Sequence, residues 1–522
     1  METFLSKHAE DVTGTLSGFD RLVFRGTLRR LVYVEGMMSF LYSISVLLKD
    51  FGQYALGITK RLKEATLQTA NLTSRPVIYL SSSTTKKEDV ARQIARDDSV
   101  REGLVCILTS VEPCSSFDIF RNRETKRLEL VTRHRKCLHI YHYLMHPVFG
   151  FMNARIQTWF PFNIRICING REWLARQMDA AGLGYQRRDN CFSWLENPAE
   201  AQRLMELQLR SSWPDLLHDI SRMLNPIHEE LFPRFPVDYY WSVFQSEWAT
   251  DVMFRSAATL ERLYPKFVQH GLMTFLSPDV MRFLGKNIPA DGTIPPAFQA
   301  EVVSDIKKRP EGVRIKHRMG ANSIKLYDKQ GSVLRVETTI NDVTAFKSFR
   351  SIEGKPTEEK KWRPMRKGIA DLHRRAEVSH ASNGRYLQAM AAVENTTTLG
   401  SLAEELCRSV IYQGRRIRAL NPYSPEDAKL LAAISRGEFT VAGFRNRDLR
   451  NILFPDAQTS SNQDRRHSGM VTRKLLLLRA HGLIRKVQGT HRYHLTLKGR
   501  SAITALLAAK IASTDSLMKL AA

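Results

Sequence analysis

The sequence predicts an α+β multidomain protein: an N-terminal α/β region, a helical middle, a three-stranded antiparallel meander, and a C-terminal unit of three helices followed by a hairpin. Three observations carry this. Short apolar runs interleave with helix-period stretches over residues 1–199. Strict alternation runs from Val313 to Ile340 across two glycine-containing turns. After Ser424 the order reads helix, helix, basic helix, strand, turn, strand, helix. The expected units are 1–199 (α/β), 200–300 (helical), 301–352 (meander, packed on the preceding units), 353–420 (basic arm and helical linker) and 421–515 (the C-terminal domain).

Composition sets the partner class. The 522 residues are 43% apolar, the content of a globular chain. The formal net charge is +25 and the pI about 9.9. A surplus of that size repels itself and favours polyanions, with DNA the expected partner and RNA the alternative. A membrane is not expected. The most apolar stretch, Met37 to Leu48, is interrupted by Ser39, Ser43 and Ser45 and is too short to span a bilayer, so it reads as a buried helix. The start METFLSKHAED lacks a leader pattern, and six dispersed cysteines do not suggest a disulfide framework. A cytoplasmic setting is therefore expected, and a homo-oligomer stays open.

In chain order, Arg21 to Arg25 is the first strand, behind the turn-forming Gly18-Phe19-Asp20. Met37 to about Gln68 reads as one long amphipathic stretch. Pro76 to Leu80 and Gly103 to Leu108 are short strands around a helix from Thr85 to Asp97. Ser116 to Phe120, Arg127 to Val131, Cys137 to Leu144 and Phe162 to Asn169 follow as successive strands; Asn169-Gly170 ends the last before a helix from Glu172 to Ala181. Residues 200–300 are expected to be mostly helical. There Trp241, Phe244 and Trp248, at i, i+3 and i+7, share a helix face and form a core seam rather than a base-stacking platform. Ile288-Pro289 and Ile294-Pro295-Pro296 suggest a boundary. In the meander, period two places Arg314, Lys316, Arg318, Lys325, Tyr327, Arg335 and Glu337 on one face. Val313, Ile315, Ile324, Leu326, Leu334 and Val336 lie on the other. Glu353 to Lys367 is a charged arm, and Ile369 to Val393 is helical although weakened by Asn383-Gly384.

In the C-terminal domain Ser424 caps a helix with Pro425 in its first turn, and Gly437 ends it. Arg445 to Phe454 is the second helix. The third begins near Ser468, with Val471, Leu475 and Leu478 as its buried stripe; Arg473, and Arg466 if the helix reaches back that far, point away from it. Leu483 to Val487 and His491 to Leu495 form a hairpin across Gln488-Gly489-Thr490, and Ser501 to Ile511 closes the unit. Between Val441 and Arg500 there are 13 Lys and Arg against 3 Asp and Glu. The segment VTRKLLLLRAHGLIRKVQGTHRYHLTLKGR, Val471 to Arg500, resembles the winged-helix domains of MarR-like bacterial regulators over roughly the last 80 to 100 residues. That resemblance implies a winged helix-turn-helix in which Arg473 and Arg466 are free to enter a major groove, Arg485, Lys486 and Arg492 on or beside the wing lie close to phosphates, and Lys474 and Arg479 are further nucleic-acid-binding candidates. Arg314, Lys316, Arg318 and Lys325 are expected to add a second backbone grip.

The chemistry of the remainder is sparser. His139, His142 and His146 would share a helix face as metal ligands, but LHIYHYLMHP is β-prone, and a strand sends His139 and His142 to opposite faces. No metal is therefore expected there. Walker-type, G-x-S-x-G and dinucleotide-binding patterns are absent from the sequence. Lys325-Leu-Tyr327-Asp-Lys329 and Arg335-Val-Glu337 are similar, over about 15 residues, to a strand-turn-strand pattern of rolling-circle replication initiators. That similarity implies a tyrosine nucleophile and a metal near Tyr327 and Glu337. Apart from the resemblance, Asp20, Asp118 and Glu337 are the carboxylates that would form a metal site if their strands meet. No cofactor is expected beyond a divalent metal, and that only for this alternative. The expected function is that of a nucleic-acid-binding protein of a mobile-element, replication or recombination system. The alternatives are a DNA-processing enzyme, either nickase-like or a metal-dependent nuclease, and an RNA-binding structural protein.

Overall fold

The computed structural model describes residues 1–81, 84–286, 288, 301–309, 312–352, 359–393, 399–436, 439, 443–455, 461–487 and 490–513. Its first half runs α1 (Glu2–Lys7), β1 (Val12–Leu28), α2 (Val34–Ser43), α3 (Phe51–Leu72), β2 (Val77–Tyr79), α4 (Lys87–Asp97), β3 (Gly103–Arg121), β4 (Leu128–His146), β5 (Gly150–Gln157), β6 (Ile164–Asn169) and α5 (Gly170–Ala181). The strands are longer than short apolar runs suggest. Gly103 to Leu108 and Ser116 to Phe120 belong to one strand, as do Arg127 to Val131 and Cys137 to Leu144. The stretch from Met37 to Gln68 is two helices, not one. In α2 only one side is buried, through Met37, Phe40 and Leu41. Asn169 caps α5, its side-chain oxygen accepting from the Arg171 and Glu172 amides.

A small hairpin, β7 (Tyr185–Arg188) with β8 (Cys191–Leu195), and helices α6 (Pro198–Leu207), α7 (Trp213–Leu224) and α8 (His228–Leu231) follow. The expected helical middle holds except at one stretch, where the helix expected around Trp241, Phe244 and Trp248 is corrected. Residues Tyr239–Phe254 form strand β9, hydrogen-bonded along its length to β1. The aromatic spacing that mimics a helix arises from a bulge: Phe24 pairs with Val243 and Val23 with Gln245, leaving Phe244 without a pairing partner. Trp241 and Trp248 are buried core residues, while Phe244 is 40% exposed.

After β9 come α9 (Ala257–Met273), α10 (Ser277–Phe283), β10 (Val302–Arg309), β11 (Gly312–Met319), β12 (Asn322–Lys329) and β13 (Val333–Ile340). The hairpin β14 (Lys347–Arg350) with β15 (Lys361–Pro364) and the helix α11 (Leu372–Met390) complete this half. The suggested boundary at Pro289, Pro295 and Pro296 lies outside the described residues, as do residues 353–358 of the charged arm. The meander forms in the expected register, with Arg314 opposite Tyr327 and Lys325 opposite Glu337. It is part of a larger sheet of eleven strands, ordered β10-β11-β12-β13-β9-β1-β6-β5-β4-β3-β2.

That order is nearly palindromic about the β1–β9 pair. In each half a long central strand is followed by two helices and then by a four-strand antiparallel meander. The last meander strand returns beside the central one (β6 on β1, β13 on β9) and leads on to a helix, to α5 directly and to α11 after the β14–β15 hairpin. The first half adds β2 and α4 before its meander. The same connectivity thus occurs twice, although the sequence carries no fixed-period repeat.

The back of the second half is apolar. Ile315, Ile324, Leu326, Leu334 and Val336 pack against α9, α10 and α11. Asn383 holds α11 down by donating to the Trp248 and Val336 carbonyls at 3.1 and 3.0 Å, and Arg375 donates to the Val243 carbonyl at 2.7 Å. The helix that the Asn383-Gly384 pair is expected to weaken is therefore pinned to the sheet at that point.

The chain ends with α12 (Leu399–Leu406), β16 (Val410–Tyr412), β17 (Arg415–Ile417), α13 (Pro425–Ile434), β18 (Phe444–Arg445), α14 (Asn446–Leu453), α15 (Ser461–Ala480), β19 (Ile484–Lys486), β20 (Arg492–Leu495) and α16 (Leu497–Ile511). Ser424 caps α13 as expected. The third helix starts at Ser461 rather than Ser468, so Arg466 lies within it. A short strand joins the hairpin, giving the order β18-β20-β19. These elements share their own core, built on Leu430, Leu449, Val471, Leu475, Leu478 and Ile503. Gly437 and the turn residues Gln488 and Gly489 lie outside the described residues. Among those described, no helix is long and apolar enough to cross a membrane.

Candidate anion and nucleic-acid interfaces

Cross-strand register brings distant charges onto the front of the sheet, the face opposite α11. In the second half they neutralise one another. Arg335 is fully buried and makes two bonds to Asp251, at 2.5 and 2.8 Å, with a third to Asp20 at 3.2 Å. Arg171, from the first turn of α5, donates to the same Asp251 at 3.0 Å. Asn190 of the small hairpin donates to both Asp20 oxygens. Charge-assisted bonds of this kind offset the cost of taking ions out of water.

Beside this network Glu337 accepts from Lys325 at 2.5 Å and from the Tyr327 hydroxyl at 2.6 Å. Burial alone would raise the Glu337 carboxyl, but the Lys325 charge and these two bonds hold it at about 2. Glu247 lies next to them, 4.0 Å from both Arg21 and Lys325. Burial raises its pKa, and the neighbouring Glu337 raises it further.

Of the expected carboxylates, Asp20 and Glu337 do meet, with ligand atoms within 4.8 Å of each other and of Glu247. Asp118 does not join them; it lies on β3, 3.8 Å from Arg135. The centre is already charge-balanced, since Asp20, Asp251, Glu247 and Glu337 face Arg21, Arg171, Arg335 and Lys325. Tyr327 is poorly prepared as a nucleophile: burial first, then the Glu337 charge, push its hydroxyl well above the usual range and disfavour the phenolate.

The histidines follow the strand geometry. His139, His142 and His146 lie on β4 and do not form a metal-ligand group; among the described residues the carboxylate set is the one group with metal-ligand spacing. Burial lowers His142 to about 4; burial and then the Arg155 charge do the same for His139. All six cysteines are free thiols.

In the first half the same face is arranged differently. Arg25 on β1 is opposite Arg165 on β6, which is opposite Arg155 on β5. The three border a cavity of about 340 Å³ together with Ser115, His134, His139, Gln157 and Asn163. Glu112 is the carboxylate that reaches this set, and it is shared by Arg155 at 2.8 Å and Lys87 at 3.1 Å. Hydrogen bonds from Tyr141, Ser110 and Lys87, with the Arg155 charge, overcome its burial and bring it down to about 2. Among the described residues neither Arg25 nor Arg165 forms an ion pair. Burial, followed by Arg155 and Arg25, lowers Arg165 to about 10, and burial with Arg155 also lowers Arg25. The Arg165 guanidinium lies 4.4 Å from the centre of the exposed Phe244 ring. This pocket was not anticipated from the sequence. Arg25 and Arg165 fall on strands that were, but nothing in a one-dimensional pattern says that β1 and β6 are neighbours.

The basic residues expected to meet nucleic acid divide by environment. Arg466 and Arg473 on α15, and Arg485 and Lys486 on β19, are exposed. Lys474 lies 3.8 Å from Glu426 and is largely covered; Arg479 sits over the Tyr412 ring at 5.8 Å. Arg492 on β20 is half-buried. On the meander Arg318 is exposed, Arg314 lies 3.4 Å from Asp305, and Lys316 is half-buried. Lys325 is committed to Glu337, so it belongs to the charge-balanced centre rather than to a free grip. No family model, curated protein or solved structure matches the chain.

Proposed function

We propose that the chain is a nucleic-acid-binding protein, with DNA as its partner, anchored by a C-terminal winged helix-turn-helix. The observation that carries this reading is the exposed basic edge of the C-terminal unit. Val471, Leu475 and Leu478 anchor one side of α15 in the core, which leaves Arg466 and Arg473 outward, while Arg485 and Lys486 stand on the adjoining hairpin. The surplus of +25 supports a polyanionic partner. A role in a mobile-element, replication or recombination system fits an anchor attached to a sheet of eleven strands better than simple regulation does.

The nickase or metal-dependent nuclease alternative rests on Asp20, Glu247, Glu337 and Tyr327. A disfavoured phenolate leaves the nickase reading without a prepared nucleophile, and the carboxylates that the nuclease reading needs are already matched by Arg21, Arg171, Arg335 and Lys325, so binding is the function proposed. RNA would meet the same phosphate contacts but would be distinguished by its 2′-hydroxyls.

The test is equilibrium binding of the full chain to duplex DNA of varied sequence. Arg473→Ala should narrow the difference between preferred and random duplexes. Lys486→Ala should weaken all duplexes alike and reduce the slope of log affinity against log salt by about 1. Equal binding of wild type and both variants to every duplex would remove the proposed interface.

A further inference from the structure

The Arg25, Arg155 and Arg165 pocket is built from other strands than the proposed duplex anchor, and only Arg155 of the three is tied to a carboxylate of the chain among the described residues. Guanidinium groups brought together on adjacent strands repel each other, and directly opposed like charges destabilise a sheet. Arg335 and Arg171 are met by carboxylates on this face of the sheet, whereas Arg25 and Arg165 form no ion pair among the described residues, and such a set points to an anion that is not part of the chain. We propose that this pocket binds a phosphate monoester dianion.

The charge count favours a dianion. Glu112 is already shared by Arg155 and Lys87, and among the described residues Arg25 and Arg165 have no carboxylate at ion-pair distance. Two such cations match the charge of nearly two that a terminal phosphate carries at neutral pH; a diester in a continuous backbone carries one. Guanidinium forks also match phosphate geometry, each donating two parallel hydrogen bonds. His139 stays neutral, and Gln157 is occupied by the Trp159 and Phe160 carbonyls at 3.0 and 3.1 Å, so the arginines supply the recognition. The cavity of about 340 Å³ has room for more than the phosphate. The Phe244 ring beside Arg165 is 40% exposed, so it adds an apolar surface at the edge. The phosphate could come from the 5′ end of a nucleic-acid strand or from a free small molecule, and both share this chemistry.

The experiment uses the full chain with two probes. Inorganic phosphate is titrated while the melting temperature is followed, against chloride at equal ionic strength. Single-stranded oligonucleotides with a 5′-phosphate or a 5′-hydroxyl are compared by fluorescence anisotropy. Phosphate should raise the melting temperature of wild type in a saturable way that chloride does not reproduce. Arg165→Gln and Arg25→Gln should each lose that response, and Lys63→Gln on the exposed side of α3 should keep it. Two separate pocket variants keep the test decisive if one fails to fold. A 5′-phosphate preference of about tenfold that disappears in the variants identifies a strand end as the source. A phosphate response without that preference identifies a small phosphate. The absence of a phosphate-specific response in wild type, or its survival in both pocket variants, overturns the proposal. Arg473→Ala should leave the phosphate response unchanged, so failure of the duplex reading and failure of this one are separable.

Discussion

Arg335 and Arg165 occupy corresponding strands of the two halves, each on the last strand of a meander that returns beside a long central strand. Arg335 is surrounded by Asp251, Asp20 and the Asn190 carbonyl. Arg165 has Arg25 on one side and Arg155 on the other. One connectivity therefore carries two treatments of charge. In the second half cations and carboxylates are paired and out of water, and their role is to hold β1, β9, β13, α5 and the small hairpin together. In the first half the cations are left for something else. The difference shows that a buried charge by itself is weak evidence of function; what matters is whether its partner is already in the chain.

The largest effect is expected at Arg335. Arg335→Leu leaves Asp251 and Asp20 buried with one cation fewer, and should cost about 3–5 kcal/mol in urea denaturation. A loss under 1 kcal/mol would mean that the network is not structural. Acid acts next. His139, His142 and His317 are each lowered to about 4 by burial, so the unfolded chain takes up protons that the folded chain refuses between roughly pH 6.5 and 4. Their contribution is complete above about pH 6.5 and is lost as pH falls through that window, by on the order of 3 kcal/mol per residue at most. Urea midpoints at pH 7 and pH 4.5 measure this, and His142→Gln should reduce the difference between them. The smallest effect sharpens the contrast. Arg165→Gln removes a repelled cation and should change stability by no more than about 0.5 kcal/mol, in either direction, in phosphate-free buffer. A loss as large as that of Arg335→Leu would show that Arg165 is structural too.

Much of the fold is legible in local pattern. The meander register, the Ser424 cap and the Val471, Leu475, Leu478 stripe follow from periods of two and 3.6 that a sequence displays directly. The 239–254 strand was hidden because a bulge at Phe244 imitates helical spacing. The doubled connectivity was hidden because strand pairing, not sequence identity, is what repeats. Of the polar centre, Asp20, Glu337 and Tyr327 were singled out from the sequence. Glu247, Asp251 and Arg171 were not, since β9 and the start of α5 meet β1 and β13 only through long-range pairing. Exposure was the other missing term: Lys325 and Arg473 are alike in sequence, but one is tied to Glu337 and the other faces outward.

If the unmatched positive charge meets a phosphate polyanion, binding must depend steeply on salt. That dependence is tested most directly by titrating the full chain with a labelled DNA duplex from about 50 to about 200 mM salt. Log affinity should fall linearly with log salt, by about a thousandfold over that range, and the combined Arg466→Ala and Arg473→Ala variant should show a shallower slope. Affinity that does not change with salt, or a slope unaltered in that variant, would contradict the phosphate-binding role.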